Sequence, residues 1–260
     1  MKIGAHAVLF KERIASETKY ILSAMANAGY EGVEMGSRFF GLDDKSRLTE
    51  ILDSCGITLA GLHVGASFSE LIANRDNVMQ KVMDAANFLK DMSCRNIIFS
   101  GMGSDGVDIK EAAIFINELS LRCAELGVSL NYHNHAHEFE NNMDIINILT
   151  NTAPSLGLCV DLGWVYAAGC DPESVLMAFK ERISYVHLRD VMHQEKSGFT
   201  ELGEGYIDYP ALMKAVKDTV GNSGWAIVEY EDGAQDINRY TKARKFLRSF
   251  DNYKGCELYV

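Results

Sequence analysis

The sequence predicts an α/β fold, a (β/α)8 TIM barrel formed as a single domain, and three observations predict it. Eight short apolar runs alternate with longer amphipathic stretches, the pattern of parallel strands joined by helices. The stretches between the runs are about 10 to 18 residues long, the crossover length a parallel connection needs. No Pro/Ser-rich linker divides the 260 residues, a length one barrel of roughly 250 residues fills. Eight unbroken βα units favour closure over an open doubly wound sheet, because eight parallel strands close well.

The elements follow in order. The first strand, Lys2–Ala5, leads into a helix that Gly29 ends, where a left-handed cap is expected. Gly32–Met35 is the second strand, and its helix ends at Gly56. Leu59–Val64 and Asn96–Ser100 are the third and fourth. Asp108 with Glu111 reads as a capping box that opens the next helix, and Gly127 ends it. Val128–Tyr132 and Gly157–Val160 are the fifth and sixth strands. Pro172 and Pro210 stand in the first turns of the helices before and after the seventh strand, Tyr185–Leu188, where proline is tolerated. Ala226–Tyr230 is the eighth, and a helix over roughly 236–249 completes its unit.

Composition narrows the function. With 47% apolar and 23% charged residues the chain buries a substantial core. Its net charge of −11, with Lys and Arg scattered, opposes the counterion release that nucleic-acid binding requires. No apolar run reaches 18 residues, and the start MKIGAHAVLF lacks a signal-peptide core, so no membrane partner and a cytoplasmic location are expected. Six cysteines, Cys55, Cys94, Cys123, Cys159, Cys170 and Cys256, form no CxxC pair and are read as free thiols.

In a closed barrel the reacting groups project from the C-terminal ends of the strands. There the fifth strand brings His133 and His135, the sixth Asp161, the seventh His187 and the eighth Glu229, each behind several apolar residues. Taken singly, each is an ordinary hydrogen-bonded strand-end residue. Together, unpaired buried carboxylates and imidazoles would cost several kcal/mol, so their concentration calls for a cation or a proton network. The predicted metal ligands are His133, Asp161, His187 and Glu229. This nitrogen and oxygen shell suits a divalent metal such as Mn²⁺, the first choice, or Co²⁺, Fe²⁺ or Zn²⁺, better than Mg²⁺. Strand period two puts His133 and His135 on one face, with Asn134 turned away. Both histidines are candidates to ligate, with His133 preferred and His135 assigned to a substrate or supporting contact. His137 reads as a loop histidine, whereas Glu138, on the loop that would roof the site, is an acid/base candidate against a solvated carboxylate.

The segments YHNHAHEF, CVDLGWVYAAGCDP, YVHLRD, ELGEGYIDY and AIVEYE, in this order, resemble the xylose-isomerase-like sugar isomerase/epimerase superfamily. The likeness extends back to GAHAVLF and GYEGVEMG and so covers nearly the whole chain. It implies a TIM barrel with a divalent metal, whose ligands on the sixth to eighth strands fall on Asp161, His187 and Glu229. It also implies a small carbohydrate or polyol substrate, and a homo-oligomer as a family-level expectation. Many epimerases of the superfamily place a glutamate on the fifth strand, as ligand and as one of two bases. Here HNH puts His133 there instead, which preserves a metal ligand and puts a symmetrical two-carboxylate proton relay in doubt.

The expected chemistry is a metal-dependent isomerase or epimerase acting on a small ketose or cyclic polyol ketone. The cation stabilises an enediolate as Glu229 removes the neighbouring proton, and His135, Glu138 or Glu204 returns one. The alternative keeps the site and lets a β-substituent leave, as in an inosose dehydratase or a lyase of 3-keto-glycosides. Glu34, His63, Trp164, Arg189 and Glu204 are substrate-binding candidates, Arg189 and Asp190 also as groups that orient His187. His6 leans structural. Gly101, Gly103 and Gly106 match GxGxxG literally, but the helix signal at Asp108 comes too late for a dinucleotide site. A nuclease, which the acidic charge opposes, and a non-catalytic sugar-binding barrel are the readings from other classes.

Overall fold

The computed structural model describes residues 1–42, 44–192 and 198–251. Within them the eight expected runs become parallel strands closed into one barrel: β1 (Lys2–His6), β2 (Gly32–Gly36), β3 (Thr58–Ser67), β4 (Asn96–Met102), β5 (Ser129–His133), β6 (Gly157–Asp161), β7 (Ile183–Leu188) and β10 (Trp225–Val228). Closure comes from β1, which pairs with β2 on one side and β10 on the other. Two short strands, β8 (Asp190–Val191) and β9 (Phe199–Thr200), form a separate antiparallel pair after β7. Outside the barrel run α1 (Arg13–Ala28), α2 (Lys45–Cys55), α3 (Phe68–Ala73), α4 (Arg75–Leu89), α5 (Ile109–Glu125), α6 (Glu140–Thr152), α7 (Leu162–Ala167), α8 (Pro172–Ala178), α9 (Tyr209–Val220) and α10 (Ile237–Asp251). No helix among the described residues is long and apolar enough to cross a membrane.

Local chemistry sets these limits. Gly29 and Gly56 end α1 and α2 in the left-handed conformation, which costs a residue without Cβ nothing. Asp108 caps α5 by accepting from the Glu111 N–H, but the Glu111 carboxylate bonds Arg75 at 2.8 Å instead of completing the box. The reciprocal capping box lies at Ser67 and Glu70, on α3. Strands β3 and β4 run past their expected ends because Gly65 and Gly101 stay in the ladder, paired with Ser100 and Ala66. A Cβ at Gly101 would stand 2.7 Å from the Tyr132 hydroxyl, so glycine there is a packing requirement.

Apolar side chains facing outward from the strands pack under the helices as the main core. A second cluster, Ala60, Ile98, Cys159, Tyr185, Trp225 and Ile227, fills the barrel's interior below the mouth. Its large members fit because small residues face them: a Cβ on Gly4 would meet Ile227 at 2.5 Å, and one on Gly32 would meet the Trp225 ring at 2.5 Å. The barrel is therefore a vessel with a packed floor, and its polar residues collect above that floor. Five cysteines are free thiols, and Cys256 lies outside the described residues.

Candidate active site

Register brings the chemistry together. Asp161 is paired with His187 across β6 and β7, His6 with Glu34 across β1 and β2, and Gly36 with His63 across β2 and β3. The β2/β3 register shifts at Glu34, and the β6/β7 register shifts at Cys159; such irregularities re-aim side chains near sites. One donor atom each from His133, Asp161, His187 and Glu229 lies within 4.8 Å of the others, and all four residues are buried. These are the four residues expected as ligands.

The donor set fits a cation on the molecule's own terms. His133 Nδ1, Asp161 Oδ2, His187 Nδ1 and Glu229 Oε2 are all buried without a hydrogen-bond partner. His187 Nδ1 and Glu229 Oε2 stand 2.7 Å apart without hydrogen-bond geometry. Burial pushes the Asp161 carboxyl up to about 7, against the pull of Arg189. Burial also drives His133 well below the usual histidine value, leaving a neutral imidazole, which is the ligating form. Burial opposes ionisation of Glu229 too, but His187 and Arg189 outweigh it and hold that carboxyl well below its usual range. A divalent ion would supply the positive charge that this collection of buried carboxylates lacks.

Around these donors runs a supporting network. Glu34 was expected to touch substrate; instead it is buried with both oxygens engaged. Its Oε2 accepts from the Tyr185 hydroxyl and faces His187 Nε2, both at 2.8 Å, while Oε1 meets His6 Nε2 at 3.1 Å and His63 Nδ1 at 3.2 Å. Glu34 thus holds the His187 ring by the nitrogen opposite the one beside Glu229, a carboxylate–histidine arrangement that fixes tautomer and orientation. His6, read as structural, caps the turn at 7–10 by accepting from the Val8 N–H at 3.0 Å and also joins this network. Asn134 is turned away from the mouth as expected, and pins the end of β6 through two bonds with the Asp161 backbone. Asp161 Oδ1 accepts from the Trp164 N–H at 2.8 Å.

The remaining candidates divide. His63 is partly exposed at the mouth, with Nε2 at 3.1 Å from Ser100 Oγ. Arg189 is buried, with one terminal nitrogen 3.7 Å from both Asp161 and Glu229 and the other on Glu231 at 3.1 Å; its guanidinium covers the Phe199 ring at 3.8 Å. Trp164 packs edge-on against Phe199 and lies 5.7 Å from the His135 ring. His135, partly exposed, has its ring 5.2 Å from that of His133. Burial lowers the His135 value, but Glu138 more than offsets it, so this imidazole titrates above the usual histidine value. Glu138 itself is not a solvated roof residue. It is buried, accepting from the Tyr132 hydroxyl and the His135 N–H, each at 2.8 Å, and so positions His135 from beneath. Glu204 is exposed, and the loop's organising carboxylate is Asp190, which accepts N–H bonds from Val191, Gly203, Gly205 and Ile207. Sequence reasoning missed Tyr185, Tyr132 and Glu231. Their apolar or charged neighbours mark strands, and nothing in a single sequence shows which distant carboxylate or guanidinium each will meet.

Comparison with known proteins adds four findings. A family model described as xylose isomerase-like TIM barrel matches residues 22–250. An inosose dehydratase of Geobacillus kaustophilus is 30% identical over 261 residues, spanning 86% of this chain and 83% of that protein. Among solved structures, the 3-keto-D-glucoside 4-epimerase YcjR of E. coli superposes with a TM-score of 0.75 at 14% identity over 96% of this chain and 99% of that one. The IolI protein with a bound zinc atom superposes with a TM-score of 0.73 at 18% identity over 96% of both chains. At such identities the two structures bear on the fold alone.

Proposed function

We propose, for a chain that belongs to the xylose isomerase-like TIM barrel family, that it is a metal-dependent lyase removing water from an inosose-like cyclic polyol ketone. The observation that carries this reading is the similarity along 86% of the chain to an inosose dehydratase. The site also supports it over an epimerase that works by two carboxylates. Proton return to a second face or atom by a two-carboxylate relay needs a second free carboxylate. Glu34 and Glu138 have both oxygens engaged, and Asp161 is held between Trp164 and the donor cluster. On the fifth strand stands His133.

A divalent ion held by His133, Asp161, His187 and Glu229, Mn²⁺ first and Zn²⁺ next, supplies Lewis acidity toward the substrate's carbonyl when bound. The protein does the rest. Glu229 turns Oε2 into the donor cluster and keeps Oε1, 3.9 Å from His6 Nε2, to take the proton from the carbon beside the carbonyl. That C–H electron pair becomes the new C=C bond as the β C–O bond breaks. His135, oriented by Glu138, gives its proton to the departing hydroxyl, which leaves as water. Arg189 and Trp164 bound the space in which the ring lies, with the partly exposed His63 at its edge. Free thiols throughout the described chain suit the reducing cytoplasm.

The test is incubation of the Mn²⁺-loaded protein with an inosose in D₂O, followed by proton NMR and mass spectrometry. Loss of one water with appearance of an enone or diketone is the expected result, and Glu229→Gln should lower that rate by at least about a hundredfold, the scale of lost general-base catalysis. Deuterium uptake without loss of water would overturn the lyase in favour of the isomerase.

A further inference from the structure

We infer that the turn after β5 carries a second divalent-cation site, formed by His135, His137 and Glu138, which takes a borderline ion such as Zn²⁺ and inhibits the enzyme when filled. The three side chains converge outside the four-residue cluster: one donor atom of each lies within 4.8 Å of the others. His137 Nε2 is 3.3 Å from Glu138 Oε1, and His135 Nδ1 is 3.9 Å from the same oxygen. Neither nitrogen makes a hydrogen bond, and both are shielded from solvent. Zinc bonds of about 2.0 to 2.2 Å in a tetrahedron place neighbouring donors about 3.3 Å apart. Of the three pairs, the one at 3.3 Å already stands at that spacing, the one at 3.9 Å needs to close by about six tenths of an ångström, and the two imidazole donors lie within 4.8 Å of each other.

The donors are held in place before any ion arrives. Glu138 is clamped by the Tyr132 hydroxyl on one oxygen and the His135 N–H on the other. The two imidazoles lie nearly parallel, 13° apart, and Phe68 meets the His137 ring edge-on. Two nitrogens and one carboxylate oxygen leave a fourth tetrahedral position open, and the set favours zinc over magnesium or calcium. His137 takes no part in the chemistry proposed above, so its nitrogen has no other assigned task. An ion on His135 Nδ1 ties that ring to His137 and Glu138 and so away from the departing hydroxyl it would meet. Filling the second site therefore stops the acid without disturbing the first.

Metal counting tests the site independently of the dehydratase reading, and only the inhibition arm rests on that reading. Metal-free protein is titrated with ZnCl₂ under equilibrium dialysis with elemental analysis. The expected result is two zinc equivalents of unequal affinity in the wild type, one in His137→Ala, and loss of the tighter one in Asp161→Ala. His137→Asn serves as a second variant if the melting temperature of the alanine form falls. Saturation of the wild type at one equivalent, or two equivalents in both His137 variants, would overturn the site. With activity as a second readout, excess zinc should inhibit the wild type at least about tenfold more strongly than His137→Ala; equal inhibition overturns the regulatory role even where two ions are counted.

Discussion

The division of labour at the mouth turns on single atoms of single residues. His187 offers Nδ1 to the donor cluster only because Nε2 is taken by Glu34, whose own orientation depends on Tyr185, His6 and His63. Partners one step behind a metal ligand typically control affinity by about 10- to 100-fold. Glu34→Gln should therefore weaken metal binding by about that factor while leaving the circular dichroism unchanged, as measured by competition with a chromophoric chelator. An unchanged affinity would mean that the ring is held by its packing alone. At this scale the sequence is readable where a residue's direction follows from its own strand. His133, Asp161, His187 and Glu229 stand at the C-terminal ends of apolar runs, where a barrel presents its reacting groups. Glu34 defeats that reading because its role is set by Tyr185 and His187, 151 and 153 positions away. Glu138 defeats it because its burial depends on the Tyr132 hydroxyl folding back over the turn.

One carboxylate anchors the short β8–β9 ribbon and the loop that follows it. Asp190 gathers four backbone N–H groups, and the Tyr209 hydroxyl at the head of α9 holds the Arg189 carbonyl at 2.7 Å. Each bond to a charged acceptor contributes about 1.5 to 3 kcal/mol. In Asp190→Ala, hydrogen-exchange protection at the Ile207 N–H should fall by about a hundredfold, equivalent to roughly 3 kcal/mol of local stability, with much smaller changes on the barrel strands. Uniform loss across the whole molecule would contradict a local anchor. The ribbon was invisible beforehand because two-residue strands carry no periodicity. The eight barrel strands were visible because their apolar runs are long enough to show one, and the caps at Gly29 and Gly56 because a left-handed backbone selects glycine. Strand ends were the least readable feature: Gly65 and Gly101 look like terminators, yet the closed ladder carries them.

For the barrel as a whole, the cluster of orphaned donors couples metal to stability. An ion that binds only the folded chain stabilises it by RT ln(1 + [L]/Kd), about 4 kcal/mol at a thousandfold excess over Kd. Stripping the metal with a chelator should lower the melting temperature, and Mn²⁺ or Zn²⁺ should restore it. In Asp161→Ala, adding either ion should move the melt by no more than the weaker second site allows. An indifferent wild-type melt would remove the metal from the account. The closed architecture was legible from the count of units and the missing linker, whereas its stoppered base was not, because matching Gly4 to Ile227 and Gly32 to Trp225 requires knowing which strands meet. That base has a kinetic consequence. With Trp225, Ile227 and Tyr185 packed across the lower lumen, the described residues close the barrel below the site, so under the dehydration proposed above the product leaves at the end where its precursor came in. Substrate and product then share that end of the barrel, so accumulating product is expected to compete with fresh substrate.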